Sequence, residues 1–353
     1  MERPSRRLRE GYRTSHGRRS DRPPAAWHPL ARGSMLTRVH EKLNGREPRQ
    51  IVLAEMLRRA CELDVLAIKP GNVSIRSSGH GMSADDFLAS ANAILDPISR
   101  TASTVGERIF ESIAATRSVV GCNTNLGIVL LCAPLTHAAL AMRAGQSVQD
   151  ALRECLDTLS VEDANRAYEA IRLAQPAGLG RRAEHDVAEP ATVDLRSAMA
   201  VAREADVVAR QYANGFEDVF GVQPIIEQLR RRWNDEPWVA TAVYLELLAR
   251  NPDSHVARKH GMDEALRVSH QAHALARSVL QSADPREFER ELSAWDALLK
   301  QHNINPGTTA DLTVASFYLN GILSIPDLEL TASGAFSPPM ANQPWEQSRI
   351  LAN

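Results

Sequence analysis

The chain has 353 residues, 44% of them hydrophobic and 24% charged, with a formal net charge of −2. That length can bury a sizeable core in one large domain or two ordinary ones, and the composition is that of a soluble protein. Aromatic residues make up only 5% while Ala, Leu and Arg abound, a bias toward helix over sheet and away from a nucleic-acid-binding body.

Residues 1–34 stand apart from the rest of the chain. They hold nine arginines against Glu2, Glu10 and Asp21, a net +6, which leaves about −8 for the remainder. They lack apolar periodicity, and "RPPAAWHPLARGS" is rich in breakers, so the segment reads as one that cannot bury enough surface to fold. A disordered basic tail, a targeting peptide and an extension upstream of Met35 all fit. No apolar region follows the basic run, which speaks against secretion, and the early acids weaken a transit peptide. A tail or an extension is favoured, followed by one helical domain over 35–340 and a short tail over 341–353.

From residue 48 the pattern is helical. In "RQIVLAEMLRRACELDVLA" the apolar positions 53, 56, 57, 60 and 63 make one face. "ADDFLASANAIL" begins with Asp85 or Asp86 as a candidate N-cap. Further helices are predicted near 104–118, 124–143, 147–157, 161–174, 195–213, 216–232, 236–250, 262–281, 285–300 and 308–324. The most apolar stretch, "LGIVLLCAPLTHAALAM" at 126–142, contains Pro134, Thr136 and His137; it reads as a buried helix pair rather than a membrane span, and His137 as a satisfied core histidine. Strict alternation and a βαβ rhythm are absent. The fold class is therefore all-α, a single multi-helix bundle. Cys61, Cys122, Cys132 and Cys155 are widely spaced and form no CxxC pair, which suits a reducing, cytoplasmic compartment rather than a disulfide framework.

Five polar breakers punctuate the helices: "KPGNVSIRSSGHG" (69–81), "GCNTN" (121–125), "QPAGLGRRAEHDV" (175–187), "NPDSHVARKHG" (251–261) and "HNINPGTTAD" (302–311). Such loops are expected to converge at one end of the bundle around a functional cleft. Within the first, Pro70 ends the preceding helix, Gly71 permits close backbone approach, and Asn72 can bond its own backbone. The result is either a plain helix stop or a stiff turn presenting Lys69 to an anion. "GLGRRA" at 178–183 matches a dinucleotide fingerprint only in its letters, because "YEAIRLAQP" before it reads as a helix and not a strand. No P-loop, HExxH or GxSxG motif occurs. His255 with His260, and His270 with His273, lack companion ligands at zinc spacing.

Taken together these loops resemble the triphosphoribosyl-dephospho-CoA synthase family, in the branch found among methanogens and methylotrophs. "KPGNVSIRSSGHGMSADDFLASA" (69–91) is similar to its opening signature, "NTNLGIVLL" (123–131) to its Asn-Thr-His-Lys-Gly segment, "NPDSHVARKHG" to its Asp-Thr-x-x-x-Arg segment, and "NPGTTADLTVASFYL" (305–319) to its Pro-Gly-x-x-Ala-Asp-Leu segment. The resemblance runs in order over roughly 50–325. It implies an all-α transferase that moves the triphosphoribosyl unit of ATP to the 2′-hydroxyl of dephospho-CoA and releases adenine. Two departures stand out: the basic pair of the second motif is Asn125-Leu126 here, and the usual middle signature is replaced by 178–212. They leave open a related transfer to another acceptor in one-carbon cofactor synthesis (methanopterin or methanofuran type), or a binding protein that kept the fold without the chemistry.

The chemistry of such a transfer sets expectations for residues. Mg²⁺ carried by the triphosphate takes carboxylate oxygens, so Asp86, Asp186, Asp253 and Asp311 are the candidate metal ligands. Lys69, Arg76, Arg258 and Lys259 supply cations for phosphate, with Gly71, Asn72, Asn123 and Asn125 completing the nucleotide site. Glu184 or His185 is the candidate base, beside Asp186. Each acid could equally be a helix cap, and Arg258 with Lys259 a solvated face.

Overall fold

The computed structural model describes residues 47–176 and 184–325. The basic segment at 1–34, the fingerprint-like stretch at 178–183 and the end at 341–353 lie outside the described residues. Every regular element within them is helical, apart from two isolated bridges, Ser74 with Ser77 and Gly79 with Met82.

The first half holds α1 (Pro48–Leu66), α2 (Ala84–Ser99), α3 (Val105–Val119), α4 (Leu126–Ala141), α5 (Val148–Asp157) and α6 (Val161–Ala174). The second holds α7 (Leu195–Ala202), α8 (Val207–Asn214), α9 (Glu217–Gly221), α10 (Gln223–Trp233), α11 (Glu236–Arg250), α12 (Ser254–His260), α13 (Met262–Gln281), α14 (Glu289–Gln301) and α15 (Gly307–Leu323). Capping boxes start α2 at Ser83, α3 at Thr104 and α6 at Ser160. Asp86 closes the first of these from the third helical position, so Ser83 is the cap that Asp85 or Asp86 was expected to be.

Three expected helices differ. The span 195–213 breaks at 203–206, because the Asp206 carboxylate accepts from Val208 N and Ala209 N and opens α8. The span 216–232 breaks at Val222, where Pro224 begins a new helix. The supposed loop at 251–261 contains the two turns of α12, capped by Asp253.

Two helices form the axis. α4 and α15 pack against each other and are apolar on all sides, so both are buried almost completely, and α1, α3, α5, α8, α11 and α12 wrap around them. α4 is one continuous helix through Pro134, not the expected pair. Pro134 has no N–H for the Leu130 carbonyl, and the Tyr212 hydroxyl from α8 donates to that oxygen instead, at 2.6 Å. The orphan acceptor is thus satisfied by tertiary structure. No helix among the described residues is long and apolar enough to cross a membrane.

Arg108 of α3 is 1% exposed. Its guanidinium donates to the carbonyls of Ile98 (2.8 Å) and Thr101 (3.4 Å), which ties the end of α2 to α3. Burial lowers its pKa to about 10. His137 nearby is half-buried; its ring makes a backbone hydrogen bond with Ser103, while Nδ1 has no partner among the described residues.

Tyr212→Phe strips the Leu130 carbonyl of its donor while keeping the ring. It should destabilise the protein by about 1–3 kcal/mol, the cost of a buried unpaired acceptor, read as a shift of the urea unfolding midpoint at unchanged slope.

Candidate active site

The Lys-Pro-Gly-Asn turn answers to its tertiary surroundings. Ile68 N donates to Thr241 Oγ1 (3.0 Å), Tyr244 OH to the Pro70 carbonyl (2.8 Å) and Gly71 N to Asp296 Oδ1 (2.8 Å). Gly71 has φ +84°, and a Cβ there would stand 2.8 Å from Pro306 Cδ and 2.9 Å from the Ile304 carbonyl. Only glycine fits such an approach. His80, itself at φ +56°, donates from Nε2 to the Gly71 carbonyl (2.9 Å), and Lys300 joins Ser77 to Asp296.

Lys69 turns inward and is 2% exposed. Its ammonium pairs with Asp64 near the end of α1 and donates to Asn72 Oδ1 at 2.6 Å, while Asn72 Nδ2 donates to Asn305 Oδ1 at 2.8 Å. The expected position of Lys69 at the rim of an anion cleft is therefore corrected. The turn is a helix stop clamped in place, and its lysine neutralises a buried carboxylate.

Asp253 joins two helix starts. Its Oδ1 accepts from His255 N (2.9 Å) and Val256 N (3.0 Å), and its Oδ2 from Thr309 N (2.7 Å) and Thr309 Oγ1 (2.8 Å). Ser254 Oγ donates to Thr308 Oγ1 at 3.0 Å across the same junction. Two residues beyond Thr309 on α15, Asp311 accepts no hydrogen bond among the described residues. Its carboxyl lies over Gly127 at the start of α4, where a Cβ would be 2.0 Å from Oδ2. Burial pushes Asp311 well above the usual carboxylate range; Asp64 and Asp253 push it the same way, and Lys69 opposes them. Asp64 and Asp253 are raised as well, mainly by burial. A small recess of about 10 Å³ lies among Cys61, Asp64, Phe87, Ala91, Asn125 and Ile128.

Lys69, Gly71, Asn72, Asn125, Asp253 and Asp311 thus belong to one region where α1, α4, α12 and α15 meet. The remaining expected residues are placed differently. Asp86 serves the α2 cap beside Cys122. Asn123 Oδ1 accepts from Leu126 N (3.2 Å), and Asn125 exchanges hydrogen bonds with Thr116. Arg76 pairs with Glu289 at the surface, and Arg258 with Asp206 at 2.6 Å. Lys259 is exposed. Glu184, His185 and Asp186 lie on the flank of α6, where Tyr168 OH donates to the His185 carbonyl (3.1 Å) and Arg172 to that of Val187. The recess is lined from α1, α2 and the start of α4 rather than from this flank.

The four-aspartate metal set does not assemble. Among the described residues no three His, Cys, Asp or Glu side chains are grouped to hold a metal, and both oxygens of Asp253 are already engaged. A wider surface concavity lies between Arg143, Gly145 and α5, and its charges pair on one another, Arg143 with Glu154 and Arg153 with Asp150.

Sequence reasoning missed Asp64, Gly127, His255 as a packed ring, and Asn305. Asp64 had a signal: it follows 57, 60 and 61 on the buried stripe of α1, where an acid demands a partner.

The family model described as ATP:dephospho-CoA triphosphoribosyl transferase matches residues 51–326. A candidate 2-(5″-triphosphoribosyl)-3′-dephosphocoenzyme-A synthase of Albidiferax ferrireducens is 33% identical over 101 residues, which is 28% of this chain and 32% of that protein. The match therefore spans about a third of that relative's length. The crystal structure of a candidate triphosphoribosyl-dephospho-CoA synthase from Archaeoglobus fulgidus superposes with a TM-score of 0.52 at 25% identity, over 66% of this chain and 97% of that one.

Two measurements probe this region. Lys69→Met leaves Asp64 buried and uncompensated and should cost about 3–5 kcal/mol in urea unfolding, part of which Asp64→Asn in the same chain restores. Burial, then Arg258, Lys259, His80 and His260, hold His255 at about 4 against an ordinary 6.5. The unfolded chain takes up that proton first, so the contribution of His255 is intact above about 6.5 and lost as pH falls toward 4. Unfolding at pH 7.5 and 5 should reveal a loss of about 2 kcal/mol in the wild type that is missing in His255→Gln.

Proposed function

Because the chain belongs to the ATP:dephospho-CoA triphosphoribosyl transferase family, we propose that it joins the triphosphoribosyl unit of ATP to the 2′-hydroxyl of 3′-dephospho-CoA and releases adenine. The observation that carries this reading is the unpaired Asp311 carboxyl at the junction of four helices, next to the Asp64–Lys69 pair.

In the reaction the bond from ribose C1′ to adenine breaks and adenine leaves with the electron pair. The acceptor oxygen forms the new bond to C1′ and gives up its proton, and adenine takes up one proton on the departing nitrogen, so the exchange balances. Asp311 is assigned as the base for that proton. Burial, with Asp64 and Asp253 nearby, holds its carboxyl well above the usual carboxylate range, which makes the carboxylate form a stronger proton acceptor. Asp64 and Asp253 add negative potential where positive charge builds on the sugar, and Lys69 keeps the cluster from repelling itself apart. Glu184, His185 and Asp186 flank α6, which does not line the recess, so the base is not assigned there. Mg²⁺ is read as arriving on the triphosphate, since Mg²⁺ commonly keeps its waters and takes one or two carboxylates. The free thiols of the four cysteines support a reducing, cytoplasmic setting.

The acceptor has a second reading. Leu126, where the family carries a lysine, is buried at 8% exposure, and the Asn125 amide is spent on Thr116. Without the basic pair, dephospho-CoA loses partners and a one-carbon cofactor precursor becomes the competing acceptor.

Adenine release from ATP, followed chromatographically with each acceptor in turn, decides both questions. Asp311→Asn should lower the rate at least about a hundredfold with little change in ATP affinity, the size expected for removing a general base. Gly127→Ala should do likewise by displacing the same carboxyl. An Asp311→Asn enzyme with wild-type turnover would refute the assignment.

A further inference from the structure

Arg108 carries its charge into the core without a carboxylate to meet it. Its side chain is 1% exposed, and burial holds its pKa at about 10, so the guanidinium stays charged at neutral pH. It donates to the carbonyls of Ile98 and Thr101 and forms no ion pair among the described residues. Its Nε is buried without a partner. Asp163 of α6 has both oxygens engaged elsewhere: Oδ1 accepts from Gly106 N (2.7 Å), and Oδ2 from Ser160 N (2.9 Å) and Ser160 Oγ (2.7 Å). A buried cation in this state is costly unless an anion meets it.

Two further buried atoms near it are unpaired. Ser112 lies one turn along the same face of α3 and is fully buried, and its Oγ has no partner. By contrast Ser99, Thr136, Thr241, Thr313 and Ser316 each donate to the carbonyl four residues back. Ser112 withholds its proton from that carbonyl, which belongs to Arg108 itself, so its hydroxyl is turned elsewhere. The third atom is Nδ1 of His137, from α4. The His137 ring bonds the backbone of Ser103, in the same connection whose Thr101 carbonyl takes Arg108. A water molecule here would satisfy the hydrogen bonds and leave the charge, whereas an anion answers both.

We propose that Arg108 Nε, Ser112 Oγ and His137 Nδ1 bind a small monovalent anion, chloride in solution, in the interior between α3 and α4. The site does not depend on the transferase reading. The charged groups facing the His137 ring are Arg108 of α3 and Asp163 of α6. Burial and Arg108 keep the free ring uncharged at neutral pH. An anion offsets the Arg108 repulsion, so a proton enters on Nδ1 with it and binding tightens as pH falls.

The test compares thermal unfolding of the full chain in sodium chloride and in sodium gluconate at equal ionic strength, since gluconate is too large to enter. An anion that binds only the folded chain raises Tm by mass action, here by about 2 °C or more. Bromide should act as chloride does. The gain should shrink in Ser112→Ala, vanish in Arg108→Met, and grow in the wild type between about pH 8 and pH 6. Crystals grown in bromide should carry an anomalous peak within hydrogen-bond distance of Arg108 Nε. No gain in the wild type, an equal gain in all three proteins, a gain indifferent to pH, or a water without anomalous signal at the site overturns the inference. Should Arg108→Met fail to fold, Ser112→Ala, which loses a single oxygen, and the bromide peak still decide it.

Discussion

The buried pair of Lys69 and Asp64 is the constraint on which the rest of the site depends. Taking two charges out of water costs several kcal/mol each, so the pair persists only with good geometry and further hydrogen bonds. Asn72 and Asn305 supply those bonds, and in doing so they fasten the end of α1 to the segment before α15. Gly71 then has to lie flat against Ile304 and Pro306, which is why the turn carries a glycine at positive φ. One ion pair thereby sets the register between two parts of the chain more than 200 residues apart.

The same register places Asp311. Its position is set by the start of α15, which Asp253 ties to the start of α12 through Thr309. Gly127 leaves room for the carboxyl where α4 begins. Three helix starts and one helix end therefore meet near Asp64, Asp253 and Asp311, and the Lys69 ammonium pairs with Asp64. A core of apolar helices, rigid and densely packed, can hold such an arrangement against its own repulsion.

Much of the fold was legible in the residues. Apolar stripes at helical spacing, Ser and Thr before acids, and the absence of alternation foretold a helical bundle with boundaries close to those observed. The misreadings have local causes. A side chain that caps from within, as Asp206 does, looks like any acid in a helix, and α12 is too short to display a period. Of the site, the sequence marked the breakers that build it, with Lys69, Gly71, Asn72, Asn125, Asp253 and Asp311 among their residues. Pairing was beyond it, since Coulomb forces and desolvation depend on distances between residues remote in the chain.

The sequence by itself determined the all-helical class, the segments that stop the helices and the family, because these rest on periodicity, capping and short motifs. Tertiary structure alone decided the role of each charge. Lys69 points inward because Asp64 lies buried beside it, Asp253 is spent on two helix starts, and Asp311, lying over Gly127, accepts no hydrogen bond among the described residues. A carboxylate is cap, counter-ion or base according to the donors within about 3 Å, and folding sets that neighbourhood.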